Sequence, residues 1–386
     1  MKQKKYKKII KQLFILLLLI CIGALFIHIN AKNYGKHVQI RDNYVNHPES
    51  LPKPDIAKLS SFGFSNLRAD LYWLQTIQYI GGNAVSSDYK KYLYTITDIT
   101  TELNPFFEHP YTITQLLLPS ENKNYENLSA EESQKYTDQA ETIGLKGIRN
   151  FCDLDKIEKI LAEPSLLKIW ENEDLKDPCK NYKIPYYLAY IYYYYKNEPA
   201  KASDYYKITS ANSDALSGAK TMAAIMAGKG GDREKSIFMF LNIAQSLGEE
   251  NDQCSIFSEK INNLSKGIFL KKEISLTGEV IQAIQEARLE FFGEFGGDDD
   301  SKSIGGTTCI SFLQKANREL NLSYIEAANE KYKQDHNGEN AEDGQELFDN
   351  GYINFLPTDF QQYDGYGIIY QYKPETGFFD NEMVDY

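Results

Sequence analysis

From Leu13 to Ile27 no polar side chain interrupts the chain, and six lysines stand in the eleven residues before that run. Nothing later is as long and as apolar. Beyond it, apolar residues recur three and four apart, the spacing of one helix face. Leu67, Leu71, Leu74 and Ile77, with Tyr72 and Trp73 beside them, predict a helix capped by Ser65 and stopped at Gly81-Gly82. A second helix capped by Ser87 would carry Tyr89, Leu93, Ile96, Ile99 and Leu103 inward and end at Asn104-Pro105. A short third runs from Pro110 to Leu118. Ser129 followed by Glu132 is a capping box, in which each residue satisfies a free backbone N–H of the other. It opens a helix through Ala140, Ile143, Leu145 and Ile148. Short helices over 155–161 and 164–172 follow, then a loop over 176–181.

The segment Tyr186–Tyr195 holds tyrosine at seven of its ten positions and has no polar face. A helix apolar all round is packed on several sides. After Asn197-Glu198-Pro199 comes a helix with Ala202, Tyr206 and Ala211. Residues 216–227 and 232–247 repeat the scheme, separated by Gly228, Gly230 and Gly231. Ala189 corresponds to Ala223, Ala202 to Ser236 and Tyr206 to Phe240, each 34 residues apart. Here the chain resembles the tetratricopeptide repeat, a helix–turn–helix unit of that period. Tyr190, Thr209 and Asp214 depart from the motif, and Lys220 stands where it wants a large apolar residue. Further helices are expected over 251–265 and 276–295, and Gly296 to Ser301 breaks the array.

Residues 320–379 change character. A helix from Leu320 to Asp335 ends at Gly338, and a short one holds Glu346, Leu347 and Phe348. Alternation from Tyr366 to Tyr372 predicts a strand, Lys373 to Gly377 a turn, and Phe378-Phe379 a return strand. This order resembles the C-terminal part of type II secretion pseudopilins, at Tyr332, Gly338, Leu347, Gly351, Pro357, Asp359, Tyr370 and Gly377. The whole layout, with Ala69-Asp70-Leu71-Tyr72-Trp73 ahead of the repeats, is similar to bacterial membrane-anchored helical-repeat proteins. The resemblance implies an envelope assembly or interaction role.

Spanning a bilayer takes roughly 17–25 apolar residues, and Leu13 to Ile29, extended by Ile9 and Ile10, supplies that. The basic end should stay in the cytoplasm. A cleaved signal would want a small-x-small site, and Ile29-x-Ala31 is a poor one. Ile20 likewise weakens a lipoprotein reading of Cys21. Residues 33–386 hold 35 basic and 54 acidic side chains, a net charge of −19. That is the reverse of a nucleic-acid footprint. Cys152, Cys179, Cys254 and Cys309 lie beyond the anchor. In an exported chain they allow two disulfides in any of three connectivities, or four buried thiols.

No catalytic motif stands around His37, His47, His109 or His336, so no enzyme and no cofactor is expected. Asp298, Asp299 and Asp300 could hold calcium, but without EF-hand spacing they read as a solvated linker, while Asp359 and Asp364 beside the hairpin are a second calcium candidate. Asp70 reads as a buried pairing carboxylate. The expected architecture is mainly α. A basic tip and transmembrane helix fill residues 1–32, with the membrane entered through 9–29. A stalk over 33–56 leads to a tetratricopeptide-like α-solenoid of antiparallel helix pairs over 57–295. A linker and helix over 296–319 precede a small α+β hairpin unit over 320–386. The expected function is an extracytoplasmic scaffold binding another envelope protein through Tyr186, Tyr190, Tyr193, Tyr205 and Tyr206, since tyrosine is enriched at interfaces. The alternatives are a pilus or secretion-machinery subunit, and an envelope hydrolase whose site forms only in three dimensions.

Overall fold

The computed structural model describes residues 15, 18–25, 27–29, 51–83, 88–121, 126–247, 309–363 and 366–381. Within them the chain is mainly helical, with one small antiparallel sheet. Two compact units divide it, the first holding residues 1–110 and 121–127, the second 111–120 and 128–386. The described residues of the Leu13–Ile29 run are helical and exposed, but several positions of that run fall outside them. Among the described residues no helix is long and apolar enough to cross a membrane.

In the first unit, α1 (Pro54–Leu59) and α3 (Lys90–Leu103) pack on α2 (Ser65–Gly82) or on one another. α3 buries Leu93, Ile96, Ile99 and Leu103, as its period predicts. α2 reverses its expected face. Ala69, Tyr72, Trp73, Thr76 and Tyr79 go inward, while Leu67, Leu71, Leu74 and Ile77 stay exposed. Each buried aromatic removes about 150–250 Å² from water, so Tyr72, Trp73 and Tyr79 outweigh the leucines. Ala69 meanwhile lets Ala57 and Ile99 come close. Arg68 fixes α1 to α2 by donating to the Ala57 carbonyl at 3.1 Å and the Ser60 hydroxyl at 2.6 Å. Asp70, expected to be buried, is exposed.

In the second unit the helices follow the chain: α4 (Glu108–Leu117, whose first three residues belong to the first unit), α5 (Ala130–Phe151), α6 (Leu154–Ala162), α7 (Leu166–Glu171), α8 (Lys183–Tyr190), α9 (Pro199–Ser210), α10 (Gly218–Lys229) and α11 (Arg233–Leu247). The capping box at Ser129 and Glu132 is present. A π-helix, Ile191–Tyr195, continues α8. From α8 to α11 each helix packs on the next. The positions 34 residues apart, Ala189 and Ala223, Ala202 and Ser236, Tyr206 and Phe240, are all buried. The helices approach closely enough for Ser203 to donate to the Ala223 carbonyl and Ser236 to that of Ala224, each at 2.8 Å.

α12 (Cys309–Asp335) is longer than the expected helix from Leu320 and lies along α11. α13 (Gly344–Asp349) follows. The sheet has three strands where a hairpin is expected: β1 (Thr358–Tyr363), β2 (Tyr366–Lys373) and β3 (Phe378–Asn381), in that order. Tyr370 and Phe379 are its fully buried rings. Arg233, at the start of α11, donates to Glu319 at 3.0 Å, to Glu326 at 2.9 Å and to the Phe379 carbonyl at 2.8 Å. α11, α12 and the sheet thus meet on one buried guanidinium. Burial works against its charge, but the Glu319 and Glu326 carboxylates hold its pKa above the ordinary value.

Candidate partner-binding face and polar pocket

The π-helix decides where the tyrosines point. The Lys196 N–H reaches back five residues to the Ile191 carbonyl. A π segment inserts a residue into the helical ladder and turns the side chains after it, a feature common at functional sites. Ile191 and Tyr192 are buried, Tyr193 and Tyr195 half-buried, and Tyr194 exposed. The segment is therefore not buried all round, as its composition implies, but open along one side. Tyr190 stacks on Tyr194, centroids 5.4 Å apart, and meets Tyr195 edge-on at 5.8 Å. The Lys229 ammonium sits 5.5 Å over the Tyr193 ring.

The five expected residues divide between this face and the core. Tyr186, Tyr190, Tyr193 and Tyr205 are half-buried, while Tyr206 is buried and meets Tyr186 edge-on at 5.5 Å. Tyr206 is a core residue and cannot contact a partner directly. Tyr194 and Tyr195, absent from the expected set, belong to the face. Tyr192 anchors its underside, donating to Glu141 at 2.6 Å, while Lys196 bridges Asp138 and Glu141. Burial pushes the Tyr195 hydroxyl up to about 12 and raises Tyr186 and Tyr190 as well, so these rings are neutral at physiological pH.

A cavity of about 290 Å³ opens between the end of α9 and the start of α10, walled by Trp170, Ser210, Asn212, Ser213, Ser217, Lys176 and Lys220 among others. No acidic side chain lines it. The Lys220 ammonium lies 3.8 Å over the Trp170 ring, and burial pushes its pKa down. The lysine stem packs and its charge rests on an indole face. Trp170 donates its N–H to Ser210 at 3.3 Å. Beside the cavity, Asn212 donates to the Cys179 carbonyl at 2.6 Å, and the Ser213 N–H and hydroxyl hold Asp177 below its ordinary pKa.

Cys152 and Cys179 form a disulfide. Cys309 is also disulfide-bonded, and Cys254 lies outside the described residues, as do Asp298, Asp299, Asp300 and the helices expected over 251–265 and 276–295. Asp359 is committed elsewhere: Arg318 grips it with two bonds, of 2.5 and 2.7 Å, and Tyr370 donates to it at 3.0 Å. A carboxylate so engaged is no calcium ligand. Among the described residues no cluster of three acidic, His or Cys side chains could hold a metal. His109 is exposed and His336 stacks on Tyr332. No protein-family model, curated protein or solved structure matches this chain.

Proposed function

We propose that this chain is a membrane-anchored, extracytoplasmic helical scaffold that binds another envelope protein through the tyrosine face of Tyr186, Tyr190, Tyr193, Tyr194 and Tyr195. One observation carries the reading. Five neighbouring tyrosines are exposed or half-buried along α8 and the π-helix that continues it, a segment tied to α5 by the Tyr192 and Lys196 side chains. Rigid tyrosines offer a partner large contact area at little entropic cost. Stacked tetratricopeptide-like helices are a frame for such a face. The pocket, with two lysines and no acid on its wall, lacks the paired carboxylates of a glycoside hydrolase.

The test is a photo-crosslinking amino acid placed at Tyr194 in the full chain in intact membranes. A discrete protein adduct is expected there, weakened by Tyr190→Ala, which removes the ring stacked on Tyr194. The control position is the exposed Asp155. Equal labelling from both positions would contradict the reading.

A further inference from the structure

The exposed face of α2 carries a row of apolar side chains that neither the fold nor the proposed partner face uses. Phe62 and Phe64 are 87% and 68% exposed, and Leu67, Leu71, Leu74 and Ile77 continue the stripe, each at least half exposed. Their spacing of three and four keeps the last four on one side of the helix. Contiguous exposed patches of this kind mark protein or membrane contacts. The turn before α2 adds to the case. Phe62 sits at φ +49°, a left-handed conformation rare for a bulky side chain, and Gly63 follows at +88°. That strained turn carries an aromatic ring into water.

Position and charge select the occupant. About 24 residues join Ile29 to Pro54, a tether of at most roughly 90 Å, so α2 can reach the bilayer that the apolar run would enter. Residues 33–110 hold 7 basic and 8 acidic side chains, net −1, whereas residues 111–386 hold 28 and 46, net −18. In the part that carries the apolar stripe, base nearly balances the acid that would repel anionic headgroups. Asp70 is the one carboxylate on α2.

We propose that α2 lies in the lipid surface beside the anchor, its Phe62–Ile77 face sunk among the headgroups. An amphipathic helix does this by burying its apolar side about 5–10 Å deep. The first unit would then be attached to the membrane at two places, at the apolar run and at α2. The proposal rests on the anchoring reading above.

The native cysteines make the two separable. Cys21 is the free, exposed thiol of the described residues. The full chain is reconstituted in vesicles of phosphatidylcholine and phosphatidylglycerol, with or without brominated acyl chains. An environment-sensitive fluorophore is placed on Cys21, or on Leu71→Cys or Lys91→Cys in a Cys21→Ser background. Lys91 is an exposed control on α3. The expected result is loss of fluorescence to brominated lipid at 21 and at 71, and none at 91. Quenching at 21 without quenching at 71 overturns surface docking and leaves the anchor standing. Absence of quenching at 21 overturns the anchor. A blue shift at 71 that brominated lipid does not quench means that protein covers the face, and overturns the lipid assignment.

Discussion

Lys207 shows how far this molecule will bury a charge for the sake of geometry. Its side chain is 1% exposed, and its ammonium donates to the Leu161 and Glu163 carbonyls at the end of α6. A cation is favoured at a helix C-terminus, but burial dominates and holds the pKa at about 8 against an ordinary 10.5. The sign of the pH dependence follows. Below about pH 8 both states are protonated and the cost of the buried charge is present in full. As pH rises toward 10.5 the folded lysine gives up its proton before the unfolded chain does. The unfolded state then binds more protons, so stability rises, by at most about 1.4 kcal/mol per pH unit. Lys220 contributes in the same direction. The raised tyrosines act oppositely above pH 10, where the unfolded chain ionises first. Urea unfolding at pH 7.5 and 9.5 should therefore show a gain that Lys207→Met reduces. An identical gain in the variant would mean that Lys207 does not titrate there.

At the scale of elements, the glycines between repeats have a packing reason. A Cβ on Gly228 of α10 would lie 2.4 Å from a Glu319 carboxylate oxygen, and one on Gly231 would lie 2.5 Å from the Phe378 ring. Gly231 also has φ +84°, which favours glycine. Gly228→Ala should push Glu319 off Arg233 and cost about 1–3 kcal/mol, as overpacking does. Thermal unfolding checks it, and an unchanged midpoint would mean that α12 shifts freely away from α10. The sequence marked those glycines as interruptions and could not show what they make room for, because Glu319 and Phe378 lie far along the chain. The same limit explains the other differences. Helices with a clear internal period, α3 and α5 above all, were legible. The inward face of α2 was not, since a leucine stripe and an aromatic stripe compete on one helix and only the neighbours α1 and α3 decide between them. β1 was missed because Thr358-Asp359-Phe360-Gln361-Gln362-Tyr363 lacks apolar alternation. It becomes a strand by pairing with β2, with its Asp359 held by Arg318, 41 residues upstream. The tyrosine set was half legible: composition located the face, and the π turn that selects Tyr194 and Tyr195 leaves no pattern in residue type.

For the whole molecule, three features point the same way. A lysine-rich tip precedes an apolar run long enough to span a bilayer. The Cys152–Cys179 disulfide closes a loop of the second unit, and such bonds persist in oxidising compartments outside the cytoplasm. The tyrosine face offers a contact area in a chain whose residues 33–386 are strongly acidic. In the proposed arrangement residues 13–29 hold the chain in the membrane, with its folded units outside. The most direct measurement is mass spectrometry of protein recovered from alkali-washed membranes, after acid quenching and alkylation of free thiols. The account predicts a chain that retains residues 13–29, carries alkylation on Cys21 and keeps Cys152 joined to Cys179. A chain starting near Lys32, or one with Cys152 and Cys179 both alkylated, would contradict it.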